Sequence, residues 1–249
     1  MKTLLRIVLG MLGLLVLIYG VGFFTSWRAA LPGYHRVFYT PERYRSVCAA
    51  QQQALARVAS SGDRDSAAVL LLHGVSTELF PYWEGTRWDF NGTTETPGRG
   101  SIACGYFVTT MLRDLGVPVQ RTNYARMASE PMIKKLVQEK NIQRYSRVET
   151  DAFLRSVKKK GDQLYVLGLD NHVGFLVCEK GKTVFIHSSG RWPWTVVKED
   201  AASSVVLGKS KYRVTGCLTC DEKFLDGWLQ QTALAAAPPS KSSERRKAR

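Results

Sequence analysis

The sequence predicts one sizeable domain in which helices come first and strands pair later, with appendages at both ends. Three observations lead to it. Across Ser101–Leu112 and on to Leu115, apolar residues fall at Cys104, Phe107, Val108, Met111, Leu112 and Leu115, the recurrence of one helical face. From Gln163 to Ser189 the apolar runs are short and are broken at Lys180-Gly181, as in a hairpin. A chain of 249 residues has room for one such core plus short extras.

At the N-terminus, Lys2 and Arg6 precede an uncharged run from Ile7 to Trp27, which Arg28 closes. About 20 apolar residues cross a bilayer, and a cleavable signal peptide has a shorter core and a small-residue site. Here the small residues from Ser26 to Ala30 are interrupted by Trp27 and Arg28. Residues 1–28 are therefore expected to be a signal anchor with residues 7–27 in the cytoplasmic membrane, the basic end inside and the rest extracytoplasmic. A cleaved signal, leaving a secreted protein, is the alternative.

Residues 29–62 read as a linker and an amphipathic helix from Pro41 to Ser60, its apolar face made by Tyr44, Val47, Cys48, Leu55 and Val58. The main domain is placed at 63–230. Ala67 to Val75 fits a buried strand or half of a helix ending near Phe80. With no G-x-S-x-G downstream, the His73-Gly74 pair is not a hydrolase oxyanion turn, and His73 is read as structural. Pro81 to Gly100 reads as loop. Its aromatics Tyr82, Trp83, Trp88 and Phe90 either wall a substrate groove or pin the loop to the core.

In the helix that follows, Ser101 is the expected N-cap and Gly116 with Pro118 the stop. Cys104 then lies in the first turn, where the helix dipole and free N–H groups favour thiolate. Taken alone, Cys104 on an apolar stripe also reads as a core cysteine. Further helices are expected from Ser129-Glu130-Pro131 to Gln138 and from Thr150 to Lys159. The basic residues between Lys134 and Lys160 make a solvated face or a contact with wall polymer or lipid.

If Lys180 and Gly181 form a two-residue turn, His187 falls opposite Gly174 and becomes the diagonal neighbour of His172 on one side of the sheet. A slip of one residue would put Ser188 there instead. A thiol at a helix start, a histidine on a strand and a polar orienter on the next strand follow the logic of cysteine nucleophiles. Trp192-Pro193-Trp194 lines one end of a groove or plugs the sheet edge. Phe224 to Leu229 suggests a short helix, and residues 231–249 a disordered basic tail.

The formal net charge is +14. It points to an anionic partner, but no nucleic-acid-binding signature is present and nucleic acid is not expected as a partner. No repeat, GxGxxG, P-loop or metal cluster is found, so neither a cofactor nor a metal is expected. The five cysteines are an odd number, which leaves Cys104 as the candidate free thiol. Cys217 and Cys220 read as a local disulfide or two ordinary thiols.

Ala103-Cys104-Gly105, His172-Val173-Gly174-Phe175 and Phe185-Ile186-His187-Ser188 resemble the nucleophile, strand histidine and final polar residue of the NlpC-type peptidases, papain-like cysteine enzymes of bacterial cell walls. Pro81-Tyr82-Trp83 with Gly85 is similar to that family's Pro-Tyr-x-x-Gly stretch. The usual Asp-Cys-Ser-Gly is Ala103-Cys104-Gly105-Tyr106 here, and the loop from Tyr82 to Cys104 is longer. The resemblance covers about Thr77 to Ser189. It implies a papain-like α+β fold, preceded by the transmembrane helix, in which the Cys104 helix packs on an antiparallel sheet with His172 and His187 on its inner face. It also implies hydrolysis of an amide in peptidoglycan peptides by Cys104, His172 and His187, in the periplasm, with Tyr82, Trp88 and Trp192 at the substrate groove. The rival expectations are a lipid- or protein-directed thiol acyl hydrolase or transferase, and a catalytically silent wall-binding module.

Overall fold

The computed structural model describes residues 2–24 and 39–236. Thr40 caps a helix over Pro41–Ser61, accepting from the Arg43 N–H, and Gly62 ends it at φ 67°. Asp63 then accepts from the N–H groups of Asp65 and Ser66 and starts the helix Arg64–His73. That helix runs on through a π-helical turn, Gly74–Leu79, into Phe80–Trp83. The stretch that fitted strand or helix is thus helical, because Ala67, Leu71, Val75 and Leu79 recur every fourth residue and all are fully buried.

Two short strands, β1 (Arg87–Trp88) and β2 (Ser101–Ile102), pair in parallel ahead of the helix Cys104–Asp114. Short helices Arg121–Ala125 and Ser129–Leu136 lead to β3 (Ile142–Ser146), and the helix Thr150–Lys158 to the main strands. These are β4 (Gln163–Leu169), β5 (Val173–Glu179), β6 (Lys182–Ser188), β7 (Val196–Asp200) and β8 (Tyr212–Cys217). They form a six-stranded sheet in the order β3-β8-β4-β5-β6-β7, antiparallel at every step.

Both faces of this sheet are buried, which is why β4 and β5 are apolar almost throughout rather than alternating. On one face Phe107, Val108 and Met111 of the Cys104 helix pack with Phe175, Val177 and Ile186. On the other, Phe153, Leu154 and Val157 of the helix Thr150–Lys158 meet Tyr165, Leu176 and Phe185. The mixed α/β domain therefore has a core on each side of one antiparallel sheet.

The expected transmembrane helix is corrected. A helix covers Lys2–Phe24, with the apolar side chains from Ile7 to Ile18 exposed. Among the described residues, however, no helix is long and apolar enough to cross a membrane. The rest of the proposed anchor and linker, residues 25–38, lies outside the described residues.

At the other end, the helix expected from Phe224 to Leu229 extends over Glu222–Ala236. Asp221 caps it, accepting from the Phe224 N–H at 2.9 Å, and Trp228 Nε1 donates to the Leu115 carbonyl at 3.1 Å. Of the expected basic tail, residues 237–249 lie outside the described residues. Cys217 and Cys220 form a disulfide with their Cα atoms 5.3 Å apart, and Cys48, Cys104 and Cys178 are free thiols.

Candidate active site

Pairing of Ser101 with Arg87 and of Ile102 with Trp88 holds the chain extended as far as Ala103 (φ −80°, ψ 159°), so the helix begins at Cys104 and not after Ser101. Ala103 is the N-cap, and no side chain caps this helix. An alanine there costs about 1 kcal/mol relative to a capping serine. What it leaves is a helix start whose first N–H groups have no side-chain acceptor from the N-cap. Gly105 follows because a Cβ at that position would come within 2.3 Å of the Ala125 carbonyl oxygen, which closes over this turn.

The thiolate-favouring environment expected for Cys104 is not what the site provides. Burial pushes the Cys104 thiol above its ordinary pKa, and hydrogen bonding from the backbone N–H groups of Val173, Gly105 and Cys104 offsets only part of that. The Val173 N–H belongs to the residue directly after His172, so the thiol sits at the head of β5.

Lys180 and Gly181 turn the β5–β6 hairpin with both φ angles positive, 49° and 75°, as a type I′ turn requires. Phe175 then pairs with Ile186 and Glu179 with Lys182. In this register His187 lies over Gly174, where a Cβ would come 2.7 Å from the His187 Cβ. His172 Nε2 and His187 Nδ1 are 2.8 Å apart, with the rings 86° from coplanar. Ser188, the alternative, is on the opposite face and donates to the Ile102 carbonyl at 2.7 Å.

Both histidine rings lie on the face that the Cys104 helix does not cover, which corrects the expected arrangement. Alternation along β6 puts Ile186 in the core under that helix and His187 with Phe185, on whose ring it stacks at 4.2 Å. The histidine pair and the helix start meet at the end of the sheet where β5 begins.

His187 is fully buried, and its Nε2 lies 3.1 Å from Glu199 Oε1. The same carboxylate oxygen accepts from the Ser204 hydroxyl. Burial alone would raise the Glu199 carboxyl, but the hydrogen bonds from His187 and Ser204 bring it below its ordinary value. His172 is lowered to about 3, by burial first and then by the neighbouring His187, so its ring is neutral near pH 7. Sequence reasoning missed Glu199. It stands on β7 opposite Phe185, two residues beyond the partner of His187. The only signal was alternation across a strand pair whose irregular connection, 189–195, hides the register.

Cys104 and His172 line one cleft of about 1110 Å³. Trp88 and Trp194 form one wall, with ring centroids 5.9 Å apart, and Arg126 and Arg191 add positive charge. Among the described residues no carboxylate lines it. Of the expected groove residues only Trp88 is in place. Tyr82, in the last turn of Phe80–Trp83, is turned onto Tyr39 and Tyr44, with ring centroids at 5.1 and 5.5 Å. Trp192 is 83 % exposed at the tip of its turn, and Trp194 takes the place expected of it. Arg121 pins the cleft's edge, donating to the carbonyls of Thr93 and Thr94 at 2.8 and 3.0 Å while its guanidinium lies 4.8 Å from the Tyr106 ring centre.

The His73 ring is exposed and meets Glu179 at 3.2 Å, far along β5 from the cleft. Among the described residues no group of histidine, cysteine, aspartate or glutamate side chains could hold a metal ion. No family model, curated protein or solved structure matches this chain.

Proposed function

We propose that this protein is a cysteine hydrolase of the NlpC type that cleaves amide bonds in peptidoglycan peptides. One observation carries the reading: Cys104, at an uncapped helix start, and His172, hydrogen-bonded to His187, line the same cleft. The thiol is neutral at rest, so His172 acts as a general base during attack rather than as half of a resting ion pair. Cys104 Sγ bonds to the scissile carbonyl carbon as its proton passes to His172. The oxyanion that forms faces the Cys104 N–H and its neighbours at the helix start. Collapse breaks the C–N bond, and the amine leaves with the proton from His172. Water, deprotonated by the same ring, then releases the acid from the thioester and restores the thiol.

Arg126 and Arg191, in a cleft without carboxylates, suit a peptide that carries carboxylates beside the scissile bond. The Cys217–Cys220 disulfide supports an oxidising, extracytoplasmic compartment. The test is hydrolysis of peptidoglycan stem and cross-bridge peptides by the purified protein, with Cys104→Ala and His172→Ala as controls. Turnover that both substitutions abolish is expected, and full activity in either variant overturns the proposal. The raised Cys104 thiol also favours a second reading, a catalytically silent wall-binding module. Binding of the same peptides without turnover in wild type would select it.

A further inference from the structure

Folding turns large aromatic rings inward, and most rings of this chain obey. Among the described side chains, those more than half exposed are Phe90 at 79 %, Trp192 at 83 % and Trp194 at 51 %. They are not scattered over the surface. Phe90 and Trp194 line the cleft that holds Cys104 and His172, and Trp192 stands on the same turn as Trp194, between β6 and β7. Exposed apolar rings gathered at the mouth of a cleft mark a surface that another molecule covers.

The turn holds these rings out on a fixed frame. The Ser189 N–H donates to the Thr195 carbonyl at 2.9 Å, the Arg191 N–H to the Ser189 hydroxyl at 3.2 Å, and the Trp88 N–H to the Trp194 carbonyl at 2.7 Å, which ties the turn to β1. Gly190 lies against the Trp88 indole, where a Cβ would come 2.9 Å from Cζ2. Trp194 itself has φ 61°, a left-handed conformation that disfavours any residue with a Cβ. A glycine would adopt it freely. Backbone conformation and exposure to water both disfavour tryptophan at this position, so folding alone does not account for the indole, and a bound partner does.

We infer that Phe90, Trp192 and Trp194 form a stacking platform for the pyranose rings of a glycan strand, the strand that carries the peptide to the cleft. Its use rests on the hydrolase reading; the binding does not. A pyranose presents C–H groups on its faces and hydroxyls around its rim. The C–H groups carry partial positive charge and match the negative face of an indole, while the rim needs polar partners close by. Asn91 and Asn171 line the same cleft and supply them, beside Arg126 and Arg191. An acyl chain fits less well, because this cleft is open and interleaves its aromatics with amides. A nucleic-acid strand needs a row of cations along its phosphates. Here two arginines line the cleft, and Asp89 stands between Trp88 and Phe90.

The experiment titrates the full chain with N-acetylglucosamine tetrasaccharide, reading affinity by calorimetry and the rings involved from indole ¹⁵N–H signals, in wild type, Trp192→Ala and Trp194→Gly. Vesicles of phosphatidylglycerol and a single-stranded oligothymidylate are the competing probes. In wild type the saccharide is expected to shift the Trp192 and Trp194 signals. Each substitution should weaken binding by about fivefold or more, the loss of one aromatic stacking contact. Trp194→Gly should keep or raise the urea midpoint, since it relieves the backbone, and so separates lost binding from lost folding. Unmoved indole signals, unchanged affinity in either variant, or vesicles or oligonucleotide taking these rings in place of the saccharide overturns the inference. Saccharide binding in a wild type that turns over no peptide supports the platform and defeats the hydrolase reading. Turnover of free peptides without saccharide binding does the reverse.

Discussion

Burial of a neutral His172 makes this fold sensitive to acid in a way that one substitution can isolate. In the folded protein the ring titrates at about 3, below its ordinary value of 6.5. A lowered folded value means that the unfolded chain takes up the proton first as pH falls. The contribution to stability is therefore complete above about pH 6.5 and is lost progressively below it, at up to about 1.4 kcal/mol per pH unit. At pH 5 the loss would reach about 2 kcal/mol for a fully shielded ring, and about 1–2 kcal/mol for one that is partly open to a cleft.

Urea unfolding of wild type and His172→Gln at pH 7.5 and pH 5 measures it. The glutamine amide can still bond to His187, and the carboxylates, including Glu199 with its own lowered value, are common to both proteins and titrate mostly below this range. Wild type is expected to lose about 1–2 kcal/mol more than the variant between the two pH values. Equal losses would refute a ring held neutral by burial.

Other substitutions probe the frame around the site. Gly105→Ala places a methyl against the Ala125 carbonyl oxygen and should cost about 1–3 kcal/mol in chemical denaturation. Arg121→Ala removes the bonds to Thr93, Thr94 and Thr110 and should speed amide exchange in the 93–95 segment at the cleft's edge, with Arg121→Lys restoring little of it. Trp83→Phe removes the Nε1 donor to Tyr44 Oη at 2.8 Å and leaves a void in a fully buried position. A loss of about 1–3 kcal/mol in thermal unfolding is expected.

Local pattern alone carried a good deal. The helix under Cys104 was legible because Phe107, Val108, Met111 and Leu112 repeat at helical spacing, and the histidine pair because Lys180-Gly181 sets the register of one hairpin. Where neighbouring strands are joined by a two-residue turn, position in sequence becomes position in space. The helix start was placed wrongly at Ser101 because β2 pairs with a strand fourteen residues earlier, and a parallel partner leaves no trace in its own sequence.

The remaining decisions belonged to the tertiary structure. Which face of the sheet received the histidines depended on which helix covers which side. Glu199 reached His187 only through the β6–β7 pairing, across a connection that sequence does not describe. Trp194 rather than Trp192 entered the cleft because of the shape of that same turn. The Cys104 thiol, which helix position alone would lower, is raised because burial outweighs the backbone N–H groups around it. The chain by itself determined the Cys104 helix and the two paired histidines, since each rests on neighbours within one helix or one hairpin. Their protonation, their environment and the carboxylate behind them were decided only by the fold, because desolvation and contact between distant segments exist only once the chain has closed on itself.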